Sequence, residues 1–282
     1  MRRFFKKYLP FTKGVALQAL TYRFRFIFWL MMDFLSVVIM FFLWKGVYQS
    51  HANAQGIPLN EVVIGSYTFG TMVMYIIFDK IVENLTNIRC DDYISDDIRD
   101  GNIAMRLIKP LSYRKQLYFQ SLGNLFIAVV FFAIPFIIVL FICSFFMHLE
   151  LQVTLYSGIM FVISIILGGT INFFISFLFG MILFLTINSF GMWQLRAAIE
   201  RILSGSLIPL ALFPKWLQII CNIMPFAQTR YVPICFILGQ YNDNKMGGLL
   251  IILIQLAWAV GLALLSHLAW RKATKRIIVQ GG

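Results

Sequence analysis

Residues 26–48 read FIFWLMMDFLSVVIMFFLWKGVY, an apolar run interrupted only by Asp33 and, near its end, by Lys45. A helix needs roughly 20 apolar residues to cross the hydrocarbon core of a bilayer, so this stretch is long enough to span. The rest of the chain agrees with it: 282 residues are 60% hydrophobic, 16% aromatic and only 13% charged, with mean hydropathy +0.81. A soluble domain of that composition would have to expose large apolar areas. The expected fold is all-α, a single transmembrane domain over residues 1–282.

Working outward, further spans are expected at 62–78, 122–147, 159–186, 193–213 and 247–270, which makes six. The run 153–190 is almost continuously apolar and carries Gly168-Gly169 near its middle. It is read as an interfacial lead-in and one crossing, because that parity places Arg196 and Arg201 near the cytoplasm. Glu200 stands four residues from Arg196 on the fifth span, within pairing reach on one helix face. Beyond it Pro209, Pro214, Pro225 and Pro233 break the chain into pieces too short to cross, which predicts a re-entrant hairpin in the outer leaflet, with its loop over 214–246. Ahead of the first span, residues 11–25 place Val15, Ala19 and Tyr22 on one stripe, suited to an amphipathic N-terminal helix lying in the interface, within a segment 1–25.

Charge fixes the expected orientation. Segments 1–25, 79–118 and 271–282 hold 18 of the 24 Lys and Arg residues, and the positive-inside rule puts all three in the cytoplasm, with both termini. The net charge of +12 is thus read as topology and as attraction to anionic lipid headgroups, not as a nucleic-acid surface. Arg2, Arg3, Lys6 and Lys7 lead to Pro10 and a mixed polar stretch rather than an apolar core with a cleavage site, so no removable signal peptide is expected. The four cysteines form no CxxC pair, which indicates neither a zinc site nor a disulfide framework.

The chain contains no GxxxxGK[ST] phosphate loop, so nucleotide chemistry by that route would belong to another chain. Ionisable groups are sparse in the spans, against a proton relay or ion-coupled carrier. Asp33 is the exception, read either as a polar group facing a central pathway or as an interfacial carboxylate paired with a neighbouring chain or headgroup. His51, His148 and His267 are too scattered for an intramembrane catalytic set. The segment 79–118 holds a short predicted helix: Asp92, Asp96 and Asp97 crowd its start, where free backbone N–H groups favour negative charge, and Gly101-Asn102 supplies a stop. Ile94 and Ile98 share a face, and Ile103 and Leu107 continue the apolar stripe to Pro110. Such a ridge suits either insertion into a partner's groove or a linker resting on the membrane.

This order of parts resembles the membrane subunits of type-2 ABC transporters, in particular the branch of antibiotic and drug export permeases. The local matches are IRDGNIAMRLIKPLSY at 98–113, LIPLALFPKWLQIICNIMPF at 207–226, and Trp270 with Gly281-Gly282. The resemblance implies two permease subunits, identical or related, joined to two separate ABC ATPase subunits that hold the ATP and magnesium, with no cofactor in this chain. It further implies that Ile94, Asp97, Ile98, Gly101, Ile103 and Leu107 belong to a coupling helix seated on the ATPase. Pro209, Pro214, Trp216 and Pro225 would form an external gate. Spans one, two and five, with Asp33 as a candidate polar residue, would line a cleft for an apolar or amphipathic cargo: a drug, a peptide or a lipid-linked molecule. The acidic run Asp91, Asp92, Asp96, Asp97 and Asp100 departs from the pattern and would require basic residues on the ATPase. The rival readings are a non-transporting membrane scaffold, which would have no need of the proline-broken hairpin, and a membrane-embedded lipid-modifying enzyme.

Overall fold

The computed structural model describes residues 2–21, 23–108, 111–147, 153–183 and 189–280. Helix α1 (Arg2–Thr21) precedes the long α2 (Arg23–Gln55), which is followed by a hairpin of two-residue strands, β1 (Val63–Ile64) and β2 (Tyr67–Thr68). Then come α3 (Phe69–Thr86), the short α4 (Cys90–Arg99) and α5 (Asn102–Ile108), and α6 (Tyr113–Ala128). Helix α6 continues through one π turn, Val129–Ala133, into α7 (Ile134–Met147). The rest is α8 (Leu155–Ile182), α9 (Ser189–Leu203), a 3-10 turn at Leu210–Leu212, α10 (Lys215–Ile223), α11 (Tyr231–Ile237) and α12 (Lys245–Gln280).

Among the described residues, four stretches are long and apolar enough to cross a membrane: Phe24–Gln55, Tyr113–Met147, Leu155–Ile182 and Lys245–Ala273. The expected spans at 62–78 and 193–213 take a different form. Residues 63–68 are drawn into the β-hairpin, whose two-residue turn places Gly65 at φ +64°, a conformation glycine adopts without Cβ strain. Thr68 then caps α3, accepting from the Thr71 N–H at 3.3 Å. The helix therefore starts later than its hydropathy indicates and runs on to Thr86, taking Asp79, Lys80 and Glu83 out of the expected 79–118 loop. Helix α9 ends at Leu203 because the chain turns at Gly205, with φ +78°. At 15 residues it rises only about 22 Å.

The run 155–182 is one helix. Thr154 and Ser157 form a reciprocal capping box at its start, and Gly168 lets another segment approach mid-helix: a Cβ there would lie 3.1 Å from the Thr229 carbonyl oxygen. The π turn has a local cause. The Ile134 N–H reaches back five residues to the Val129 carbonyl, directly before Pro135, which has no N–H to give the ladder.

Side-chain contacts sort the molecule into two ends. At one, the β-hairpin meets the end of α2 and the loop after α11, and the start of α8 meets the start of α12: Tyr48 donates to the Tyr67 carbonyl at 2.8 Å, Gln240 to the Tyr67 hydroxyl at 3.0 Å and Tyr156 to the Lys245 carbonyl at 3.0 Å. At the other, α4 and α5 lie against the end of α8 and the beginnings of α6 and α9. Helix α1 docks on α6, with Thr12 donating to the Phe119 carbonyl at 2.8 Å and Tyr8 stacked on Phe119 at 5.3 Å. Gly123 makes that approach possible, since a Cβ on it would stand 2.7 Å from the Thr12 carbonyl oxygen.

Candidate functional site

The coupling helix that the resemblance implies over 94–107 is two helices, divided at the stop its sequence offers. Gly101, at φ +69°, stops α4, and Asn102 opens α5. The apolar ridge turns inward: Ile94 has no exposed surface and sits with Cys90, Tyr113, Leu117, Phe173 and Phe177. A methyl group on Gly180 would overlap its Cδ1, so the glycine supplies the notch that receives it. Ile98 and Ile103 pack partly against the same cluster, and the Leu107 side chain lies outside the described residues. The outer surface of the pair is instead Asp96, Arg99, Asp100, Gly101, Asn102 and Met105, the last 65% exposed. An apolar stripe beside an apolar bundle buries itself before any partner arrives.

Asp97 is buried and joins three elements. Its carboxylate accepts the Tyr113 hydroxyl of α6 at 2.7 Å and pairs with Arg106 of α5 at 2.9 Å. Tyr113 stacks in turn on Trp270 of α12, 5.3 Å away. Burial pushes the Asp97 carboxyl above the usual carboxylate range, while the Tyr113 hydrogen bond and Arg106 oppose the rise.

The strongest tie between α4 and the bundle is one that hydropathy and spacing missed. Arg196 of α9, 3% exposed, donates to Asp91 at 2.6 Å, to Glu200 at 2.8 Å, to Asn172 of α8 at 2.7 Å and to the Ile88 carbonyl at 3.1 Å. Asp91 also accepts from Ser176 of α8 at 2.6 Å. The pairing of Arg196 with Glu200 was legible from its spacing, whereas Asp91 looked like one more member of an acidic run. A buried guanidinium is tolerated when its donors are spent in this way. The arrangement acts as a clamp, since α4 cannot tilt without carrying α8 and α9 or breaking charge-assisted bonds.

At the other end, the prolines stand where helices begin or stop. Pro209 precedes the 3-10 turn, Pro214 caps α10, Pro225 follows its last turn, and Pro233 is the third residue of α11, positions where the missing N–H costs little. Helix α10 exposes Trp216 at 64% together with Ile219 and Ile223. The chain then runs into the bundle, where Gln255 of α12 donates to the Gln228 carbonyl at 2.8 Å and Arg230 reaches Glu83 of α3 at 3.0 Å. It returns through α11, all seven residues of which are buried.

Asp33 meets its partners within the same chain. It accepts from Asn84 at 3.0 Å and stands 3.8 Å from the Lys80 amine, which also binds Glu83 at 2.8 Å. The structure thus brings Asp33 together with α3 and Arg230 in one polar cluster, and keeps that cluster apart from Ile94, Asp97 and Met105. It also lies apart from Trp216.

A family model described as ABC-2 family transporter protein matches residues 34–281. No curated protein and no solved structure matches the chain.

Proposed function

The chain belongs to the ABC-2 transporter family, and from that premise we propose that it is the permease subunit of an ATP-driven exporter whose nucleotide is bound and hydrolysed on separate ATPase subunits. The observation that carries the reading is the two-faced pair α4–α5. Its outer surface offers the exposed Met105 as an apolar tip and, with it, Asp96 and Asp100, which share the single base Arg99 at 3.1 and 3.4 Å and so leave the surface net acidic, a character suited to a groove with basic walls. Its inner surface is fixed to α9 through Asp91 and Arg196. A push on the outer face therefore has a stiff route to α9, and from α9 through Gly205 to the segment Pro209–Pro225, the proposed external gate.

In this reading the α4 end and both termini are cytoplasmic, following the distribution of Lys and Arg, and the protein works in the cell membrane. The hairpin of α10 and α11 enters the bundle from outside. Helix α2 exposes Phe28, Met31, Leu35 and Phe42, which lipid and a second permease subunit would cover, the cleft between subunits carrying an apolar or amphipathic cargo.

Co-purification with an ABC ATPase subunit tests the proposal. The intact chain is expected to retain the ATPase, and Met105→Asp combined with Asp100→Lys to release it while the permease remains folded. If the intact chain retains no such subunit, or the double variant retains it equally well, the reading is wrong.

A further inference from the structure

Between α2, α3 and the connection from α9 to α10 lies a cavity of about 340 Å3, within the usual size of small-molecule sites. Met40 and Trp44 of α2, Ile76 of α3 and Leu207 give it an apolar lining, and Asp79, Lys80 and Glu83, also of α3, give it a polar one. Asp79 is 5% exposed and its Oδ1 has no hydrogen-bond partner.

Glu83 takes both the Lys80 amine at 2.8 Å and the Arg230 guanidinium at 3.0 Å, and Lys80 leans further toward Asp33 at 3.8 Å. Three carboxylates, Asp33, Asp79 and Glu83, thus share two bases, Lys80 and Arg230, and the carboxylate left over is Asp79. Arg201 stands at the exposed rim, where water screens it. A buried carboxylate oxygen without a donor is costly, and a buried carboxylate facing a cavity is a candidate site of function. An anionic ligand would meet Asp79 as a like charge, and a neutral donor could hydrogen-bond its oxygen but would leave its charge unbalanced. A cation supplies the missing partner, and the Trp44 ring lines the same cavity.

We infer that this cavity binds an amphipathic cation, its charged group on Asp79 and its apolar body against Met40, Trp44, Ile76 and Leu207. As the cargo of transport, this ligand rests on the permease reading; as a binding site it does not.

Three probes of matched length test it: 4-phenylbutylammonium, 4-phenylbutanol and 4-phenylbutyrate, measured by equilibrium dialysis against the full chain in lipid nanodiscs, with empty nanodiscs subtracted. The ammonium is expected to bind at least tenfold more tightly than the alcohol or the carboxylate. Asp79→Asn should cost the ammonium at least tenfold, and Asp79→Glu should retain most of its binding. Equal binding of the carboxylate and the ammonium to the unaltered chain would overturn the inference, as would an unchanged affinity in a folded Asp79→Asn protein. Because no ATPase is present, a chain that binds the cation but fails to retain an ATPase would sink the permease reading alone, and the reverse result would sink this one alone.

Discussion

Asp91 and Asp79 are both buried carboxylates, one on α4 and the other on α3, and their surroundings differ completely. Asp91 accepts from Arg196 and Ser176 and sits in a network that also satisfies Asn172 and Glu200. Asp79 faces a cavity with one oxygen unpartnered, its neighbouring bases occupied by Glu83. Saturated burial of charge holds elements in a fixed relation, while unsaturated burial leaves a place for something the chain does not itself contain. The first region reads as a transmission joint and the second as a receptor, although a hydropathy scan gives both the same weight.

Breaking the clamp should have the largest effect. Arg196→Ala leaves the buried Asp91 and the partly buried Glu200 without their guanidinium, at a cost of about 3–5 kcal/mol, seen as a fall in thermal unfolding temperature in nanodiscs. At the junction between the two regions, Gly205 holds φ +78° and its carbonyl accepts the Tyr75 hydroxyl at 2.7 Å. Gly205→Ala is expected to lose about 1–3 kcal/mol through backbone strain, by the same measurement. Asp79→Asn should leave stability within about 1 kcal/mol of the intact chain, or raise it, because it removes a buried charge that no donor meets. An Asp79→Asn protein as unstable as Arg196→Ala would erase the distinction between the two carboxylates.

The membrane class and the long helices were legible because hydrophobic length is a strong one-dimensional signal, as at 26–48 and 155–182. So was the stop at Gly101-Asn102, and so was the interruption around Pro214 and Pro225, since these residues act on their own backbone. Contacts between distant segments were not legible. Ile94 was read as facing a partner, and only the notch at Gly180, far away in sequence, shows that it packs inward. Arg196 near a span terminus looks like an orientation signal, and only the fold brings Asp91 and Asn172 to it. The shortened α9 escaped notice because Ser204-Gly205-Ser206 is a weak break beside a strong apolar run. Met105, the apolar tip of the outer surface, was passed over because its helix was read as continuing the stripe of Ile94.

The clamp is tested most directly by asking whether nucleotide at one end is felt at the other. In the chain assembled with its ATPase, a cysteine placed by Trp216→Cys on α10 can be labelled with a membrane-impermeant maleimide, with and without a non-hydrolysable ATP analogue. Three of the native cysteines, Cys90, Cys221 and Cys235, are buried, and a parallel reaction without the added cysteine subtracts Cys143. The labelling rate is predicted to change with the analogue in the intact chain, and to become indifferent to it in Arg196→Ala while the ATPase stays bound. A nucleotide response that survives in Arg196→Ala, with the complex intact, would contradict the account.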